Sequence, residues 1–267
     1  MVLNIFGMSA IIIFLYMNTI FILSLIKKNA SIVDIGWGPG FVLVVFVHLL
    51  KDSLKHQSVD PRQFMIAALI AIWGIRLAWH IYKRNRGKPE DYRYAHWRQK
   101  WGKNFILRSY FQIFLLQGFF MLIILTPALL VLNSRTKQLN FLIFMGLVIW
   151  LTGFIFEALA DAQLRQFKKN PENRGRIITT GLWKYSRHPN YFGEALMWWG
   201  IFLMALSAPS GWLGIISPLL ITFLLTEVSG VKLLEKKYRG NPEFEAYKNK
   251  TSAFFPWPPR RSERHDD

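Results

Sequence analysis

Gly181-Leu182-Trp183-Lys184-Tyr185-Ser186-Arg187-His188-Pro189-Asn190-Tyr191-Phe192-Gly193-Glu194 runs directly into an apolar stretch, residues 195–206. Cations, aromatic rings and a carboxylate therefore stand at the threshold of a segment apolar enough for lipid. Hydrocarbon penalises every unpaired polar group heavily. A cluster of this kind needs partners, and a polyanionic cofactor supplies them. The same juxtaposition of apolar run and charged end recurs along the chain, and that recurrence decides the fold class.

Of the 267 residues, 52% are hydrophobic and 16% aromatic, and the apolar ones fall in long blocks. Soluble domains combine such values rarely. A bilayer core takes about 20 apolar residues per helix. Seven blocks meet or approach that length: 2–26, 32–50, 64–82, 105–132, 141–160, 191–207 and 212–228. Ala208-Pro209-Ser210-Gly211 makes a tight turn between the last two. The expectation is an all-α membrane protein of about seven transmembrane helices. It forms a single multi-pass domain over residues 1–260, and 261–267 is a disordered polar tail.

The net charge is +17, and its placement excludes a nucleic-acid footprint. Lys and Arg crowd into 83–108, 165–187 and the stretch from 232 onward, alternating with poor loops. The positive-inside rule then sets the amino terminus outside and the carboxyl terminus in the cytoplasm. Anionic headgroups and cofactor phosphates are secondary partners of this charge. The first block lacks the basic leader and small-residue cleavage site of a signal peptide. With no cysteine in the chain, disulfides, thiolate catalysis and sulfur-ligated metals are excluded. The histidines at 48, 56, 80, 96, 188 and 265 lack the close pairing a di-iron centre requires. No metal is expected. Gly36-Trp37-Gly38-Pro39-Gly40 has the wrong spacing for a dinucleotide loop, so a bound nucleotide is held by side chains.

The ionisable residues within spans all fall in one leaflet. Asp34 begins the second block, Arg76 and His80 close the third, and Glu157 and Asp161 close the fifth. Glu194 opens the sixth and Glu227 closes the seventh. Glu157 and Asp161, four apart, share a helix face, and Asn190 and Glu194 repeat that spacing one span later. This pattern predicts a polar chamber facing the cytoplasm. The plainer alternative is a salt-bridge network with Arg76, Arg165 and Arg187 that only locks helices together. Arg165, Lys168, Lys169, Arg174, Arg176 and Arg187 can neutralise phosphates, and Trp183, Tyr185 and Tyr191 offer flat faces to a base. Trp97 and Trp101, four apart, fit a helix lying in the interface, as an anchor or as a lid.

The motif from Leu182 to Glu194 resembles the signature of the steroid 5-alpha-reductase-like membrane proteins. The likeness is strongest to a bacterial branch named only as a domain of unknown function. Asp34-Ile35-Gly36-Trp37-Gly38, Glu90-Asp91-Tyr92-Arg93-Tyr94, and Tyr247 with Thr251 to Pro256 carry the same resemblance. It implies a seven-helix membrane fold with the catalytic half at 141–256. It also implies NADPH as cofactor, used to saturate a carbon–carbon double bond conjugated to a carbonyl. By motif position it implies cofactor contacts from Asp161, Asn190 and Glu194, with Arg165 and Lys168 at phosphate-binding positions. The chain departs from the steroid reductases at their Gln-Glu pair on the second span, where Gly36 and Trp37 stand. Their third-span tyrosine has no secure match among Trp79, His80 and Tyr82. A related motif in isoprenylcysteine and phospholipid methyltransferases holds S-adenosylmethionine, so that chemistry stays open.

The resulting expectation is an NADPH-dependent reductase of a sterol-like or isoprenoid lipid. Glu157, Asp161, Arg165, Lys168, Tyr185, Arg187, His188, Asn190, Tyr191 and Glu194 surround the cofactor. Asp34, His80 or Tyr82 supplies the acid at the carbonyl oxygen. The partners are the bilayer and a lipophilic small molecule, with no protein or nucleic acid, in a bacterial inner membrane with the cofactor site facing the cytoplasm. A transporter or lipid-binding scaffold is the non-enzymatic alternative. It calls for polar residues and broken helices at mid-span, and Pro127 is the main such break.

Overall fold

The computed structural model describes residues 2–58, 60–135 and 140–260, so the polar tail at 261–267 lies outside the described residues. Among them the chain is helical throughout, its one β feature an isolated bridge between Ser186 and Ser252. Six helical stretches are long and apolar enough to cross a membrane: Asn4–Ile26, Ile32–His56, Pro61–Asn85, Tyr92–Ile124, Phe141–Lys169 and Gly211–Lys236. The remaining expected span is a helix of 17 residues, Pro189–Ala205. At 1.5 Å per residue it is about 25 Å long, short of a hydrocarbon core of about 30 Å. Proline, lacking an N–H, starts it at a position where none is needed.

Two compact units emerge, one of Met1–Asn140 with Ala205–Ser217 and the other of Phe141–Met204 with Pro218–Asp267. The first unit opens with α1 (Val2–Ile26), α2 (Ile32–His56) and α3 (Pro61–Asn85). Gly38 of α2 and Gly74 of α3 lie backbone to backbone, where a Cβ on either would strike the other residue's carbonyl oxygen. Close helix approach through glycine raises van der Waals contact where lipid gives no hydrophobic drive. Tyr16 of α1 donates to the Gly36 carbonyl at 2.7 Å and fastens the first helix to the second.

Short elements follow: α4 (Tyr92–Trp101), α5 (Phe105–Ser109), a π-helical turn (Tyr110–Leu115), α6 (Leu116–Ile124) and α7 (Thr126–Leu132). Asp91 caps α4 by accepting from the Arg93 amide at 3.0 Å, which neutralises one orphan N–H of the first turn. Trp97 and Trp101, four apart on this helix, stack at 5.6 Å. The fourth span was expected to continue through residue 132. It stops at Ile124 instead, because Pro127 in the first turn of α7 has no N–H to continue the ladder.

At the start of α3 lies a buried polar knot. Arg62, 1% exposed, donates to the Ser207 hydroxyl at 3.3 Å and the Ser134 carbonyl at 3.4 Å. It also pairs with Asp60 at 3.5 Å. Gln63 donates to the carbonyl of Leu132 at 3.0 Å. These bonds tie the end of α7 and the 205–211 turn to α3.

The second unit holds α8 (Phe141–Lys169), α9 (Pro189–Ala205), α10 (Ile216–Phe223, its last residues), a π-helical turn (Leu224–Val228), α11 (Val231–Lys237) and α12 (Pro242–Lys250). Helices α8 and α9 meet antiparallel through two glycine pairs, Gly146 with Gly200 and Gly153 with Gly193. A Cβ on Gly153 would lie 2.5 Å from the Gly193 carbonyl oxygen, and the reverse holds for Gly193.

Candidate functional site

The glycine register of α8 and α9 carries the polar residues into contact. One turn beyond Gly153, the backbone of Glu157 lies against Gly193. One turn further, Asn190 donates its side-chain amide to the Asp161 carboxylate at 3.1 Å. Glu157, Asp161 and Glu194 are buried. The carbonyl oxygen of the Asn190 side chain is buried and accepts no hydrogen bond, a costly state that a ligand donor relieves. Arg165 and Lys168, four and seven residues past Asp161, continue the same helix stripe and are exposed. The faces expected to match from their four-residue spacing are thus brought together, because glycine admits the close crossing.

His188 and Tyr191 stack with ring centroids 5.6 Å apart and nearly parallel planes. The His188 Nε2 lies 3.3 Å from Glu235 of α11, and Gly230 leaves room for the Tyr191 ring. Trp183 donates its indole N–H to the Ala160 carbonyl at 3.1 Å and packs with Ile178, Leu164 and Phe167. This contact fixes the loop to the end of α8.

One expectation changes here. Arg187 was expected on a cofactor phosphate. It is buried instead, with Nε on Glu235 at 2.8 Å and Nη1 on the carbonyls of Lys248 at 3.2 Å and Thr251 at 2.5 Å. Tyr185 has an exposed ring, and its carbonyl accepts from the Trp257 amide at 2.9 Å.

The carboxyl-terminal segment is the reason. It runs back along the motif as a strap: the Arg187 amide donates to the Ser252 carbonyl at 2.8 Å, and the Ser186 hydroxyl to the Phe254 carbonyl at 2.8 Å. The Tyr247 hydroxyl donates to the Trp183 carbonyl. Burial pushes the Tyr247 phenol above its usual pKa, so it remains a donor. Glu235 and Tyr247 carry the loop's geometry. Glu235 left no signal in the sequence, whereas Tyr247 stood in the third stretch of the resemblance.

In the first unit, Asp34 stands in the first turn of α2. It accepts from Arg93 at 2.7 Å and from the Tyr94 hydroxyl at 2.5 Å. Tyr94 is 2% exposed. Glu90 accepts from Arg98 at 2.9 and 2.8 Å and from the Ala30 amide at 2.6 Å. The 90–94 segment is thereby clamped to the start of α2. Burial alone raises the Glu90 and Asp91 carboxyls. Arg98 and the Ala30 amide outweigh it at Glu90, and Arg93 does so at Asp91, so both sit below the usual carboxylate range.

Asp34, expected as an acid, thus has Arg93 and Tyr94 as its partners. Tyr82 is an exposed ring stacked on Trp79 at 5.9 Å, not a member of this cluster. His80 is half-buried on α3. Tyr94, the buried partner of Asp34, was missed, although Glu90-Asp91-Tyr92-Arg93-Tyr94 was visible as a motif.

Comparison with known proteins matches residues 20–251 to the family described as Protein of unknown function (DUF1295). An uncharacterized fission yeast protein (Schizosaccharomyces pombe) is 28% identical over 95% of this chain and 80% of its own length. The mouse 3-oxo-5-alpha-steroid 4-dehydrogenase 1 is 36% identical over 23% of this chain and 24% of its own. A probable O-methyltransferase of Ustilaginoidea virens is 41% identical over 17% of this chain and 16% of its own. No solved structure matches. The steroid dehydrogenase and methyltransferase likenesses are partial, whereas the first match spans nearly all of the sequence, and the chain belongs to the DUF1295 family.

Proposed function

We propose that the protein is an NADPH-dependent membrane reductase that saturates a carbon–carbon double bond conjugated to a carbonyl in a sterol-like or isoprenoid lipid. The buried, unfilled acceptor on Asn190 beside Asp161 carries this reading. A carboxamide donor suits that oxygen, and Arg165 and Lys168 lie further along the same stripe for phosphates. The partial likeness to the steroid dehydrogenase supports it. NADPH, when bound, supplies the hydride. Asn190 orients the nicotinamide amide, and Asp161 in turn orients Asn190. Glu157 and Glu194 complete the acidic wall, and the stacked His188 and Tyr191 close it.

Reduction of an enone also needs a donor at the carbonyl oxygen, where charge develops. The charge distribution supports an orientation with the Arg165 end cytoplasmic.

Calorimetric titration of the purified protein with NADPH tests the reading. Saturable binding that is weakened in Asn190→Ala and in the Arg165→Ala/Lys168→Ala double variant supports it; no saturable heat refutes it. The likeness to the O-methyltransferase favours a second reading, an S-adenosylmethionine-dependent lipid methyltransferase. Under it, S-adenosylmethionine raises Tm and NADPH does not.

A further inference from the structure

The strap that fastens the motif loop ends in a set of apolar rings with nothing on them. Phe255 is 67% and Trp257 71% exposed. Neither floats free. The Trp257 amide is bonded to the Tyr185 carbonyl at 2.9 Å, and Phe255 packs on Phe192 at 6.0 Å and on Phe254 at 5.4 Å. The rings are thus presented on a rigid backbone, which lowers the entropy cost of binding whatever they meet.

Their depth follows from a chain of ring contacts. Phe192 touches Phe156 of α8 at 5.5 Å, and Phe156 lies in the apolar run of that helix, just before Asp161. Helix α8 has 29 residues and is about 43 Å long, so its charged end stands out of a hydrocarbon core of about 30 Å. One ring removed from Phe156, Phe255 sits at the hydrocarbon boundary. Basic groups flank the patch: Lys184 lies 6.0 Å from the Tyr185 ring, and the Arg260 amide bonds the Lys250 carbonyl at 3.0 Å.

We infer that residues 252–260 form a membrane-docking strap whose partner is the anionic headgroup layer of the bilayer. Phe255 and Trp257 enter the acyl boundary, where aromatic rings partition favourably. Lys184, Lys250 and Arg260 meet lipid phosphates. Because the same strap holds the backbone of residues 183–187, docking places the motif loop at a set depth. This inference does not depend on which cofactor the loop serves.

The wild-type protein tests it directly. In vesicles containing a phospholipid with a diazirine near its glycerol backbone, irradiation and trypsin digestion release the Thr251–Arg260 peptide. Adducts on Phe255 or Trp257 are expected, with a yield severalfold higher in phosphatidylglycerol than in phosphatidylcholine vesicles. A peptide free of adducts, in a sample where the first helix is labelled, overturns the inference. So does equal labelling in both lipids, which removes the anionic partner. The absence of native cysteine permits a second measurement, a spin label at Trp257→Cys. Preferential relaxation by oxygen is expected; preferential relaxation by a water-soluble nickel chelate overturns the inference.

Discussion

Arg187 donates its Nε to Glu235 across 2.8 Å, while Nη1 reaches the Thr251 carbonyl. The arginine inside the motif is therefore the fastening of the carboxyl-terminal strap. Removing it takes the guanidinium from Glu235 and leaves the carbonyls of Lys248 and Thr251 without this donor. Arg187→Ala is expected to cost about 3 kcal/mol. Arg187→Lys recovers little, because a compact ammonium lacks the planar spread of donors that reaches Glu235 on one side and two carbonyls on the other. Denaturant unfolding in detergent measures both. The Arg187 variants are also expected to accelerate hydrogen exchange at residues 252–257, which a bare phosphate ligand would not do.

The α8–α9 crossing is the next test. A methyl group on Gly193 meets the Gly153 carbonyl oxygen at 2.5 Å, so Gly193→Ala forces the helices apart. A loss of about 1–3 kcal/mol is expected, together with weaker cofactor binding as Asp161 and Asn190 separate. Gly7→Ala is the control: a Cβ there meets nothing within 4 Å, and helix propensity makes the change neutral or slightly stabilising. Thermal melting of the two variants compares them.

Burial of the Asp60–Arg62 pair makes it costly to break from one side. Arg62→Met leaves buried Asp60 without its cation, and about 3–5 kcal/mol of stability is expected to go. Asp60→Asn on top of it recovers part of the loss, since asparagine still caps α3. A double-mutant cycle in urea reads the coupling.

The clamp of residues 90–94 on α2 has a defined pH response. Glu90 and Asp91 are held below their ordinary values of 4.5 and 3.8. Their contribution is therefore present in full above the ordinary values and is lost as pH falls through the lower, folded ones. Wild type is expected to exceed Glu90→Gln in stability above about pH 5, with the two curves converging in stronger acid. Unfolding at a series of pH values provides the check.

Tyr94→Phe removes the phenol from Asp34 and leaves Arg93 in place. A loss of about 1–2 kcal/mol of stability is expected. Denaturant unfolding in detergent provides the check.

Apolar runs near 20 residues admit one solution in lipid, because only a helix satisfies its own backbone there. The membrane class and most span limits were therefore legible from residue order. So were Asp161 and Asn190, since a four-residue spacing places side chains on one face whatever packs beside it. Pro127 broke the fourth span at a position the apolar pattern alone ran past.

Partner choice was another matter. Residue order shows that Arg187 is charged and near a span; it does not show that a carboxylate 48 residues away and the carbonyls of Lys248 and Thr251 surround it. Backbone carbonyls carry no residue-specific signature, so the strap could not be read from its own letters. Tyr94 and Asp34 lie 60 residues apart, and only the antiparallel return of the chain lets a phenol meet a carboxylate. Local periodicity gave each side chain its direction. The distances between those directions, on which charge pairing depends steeply, came from the tertiary fold.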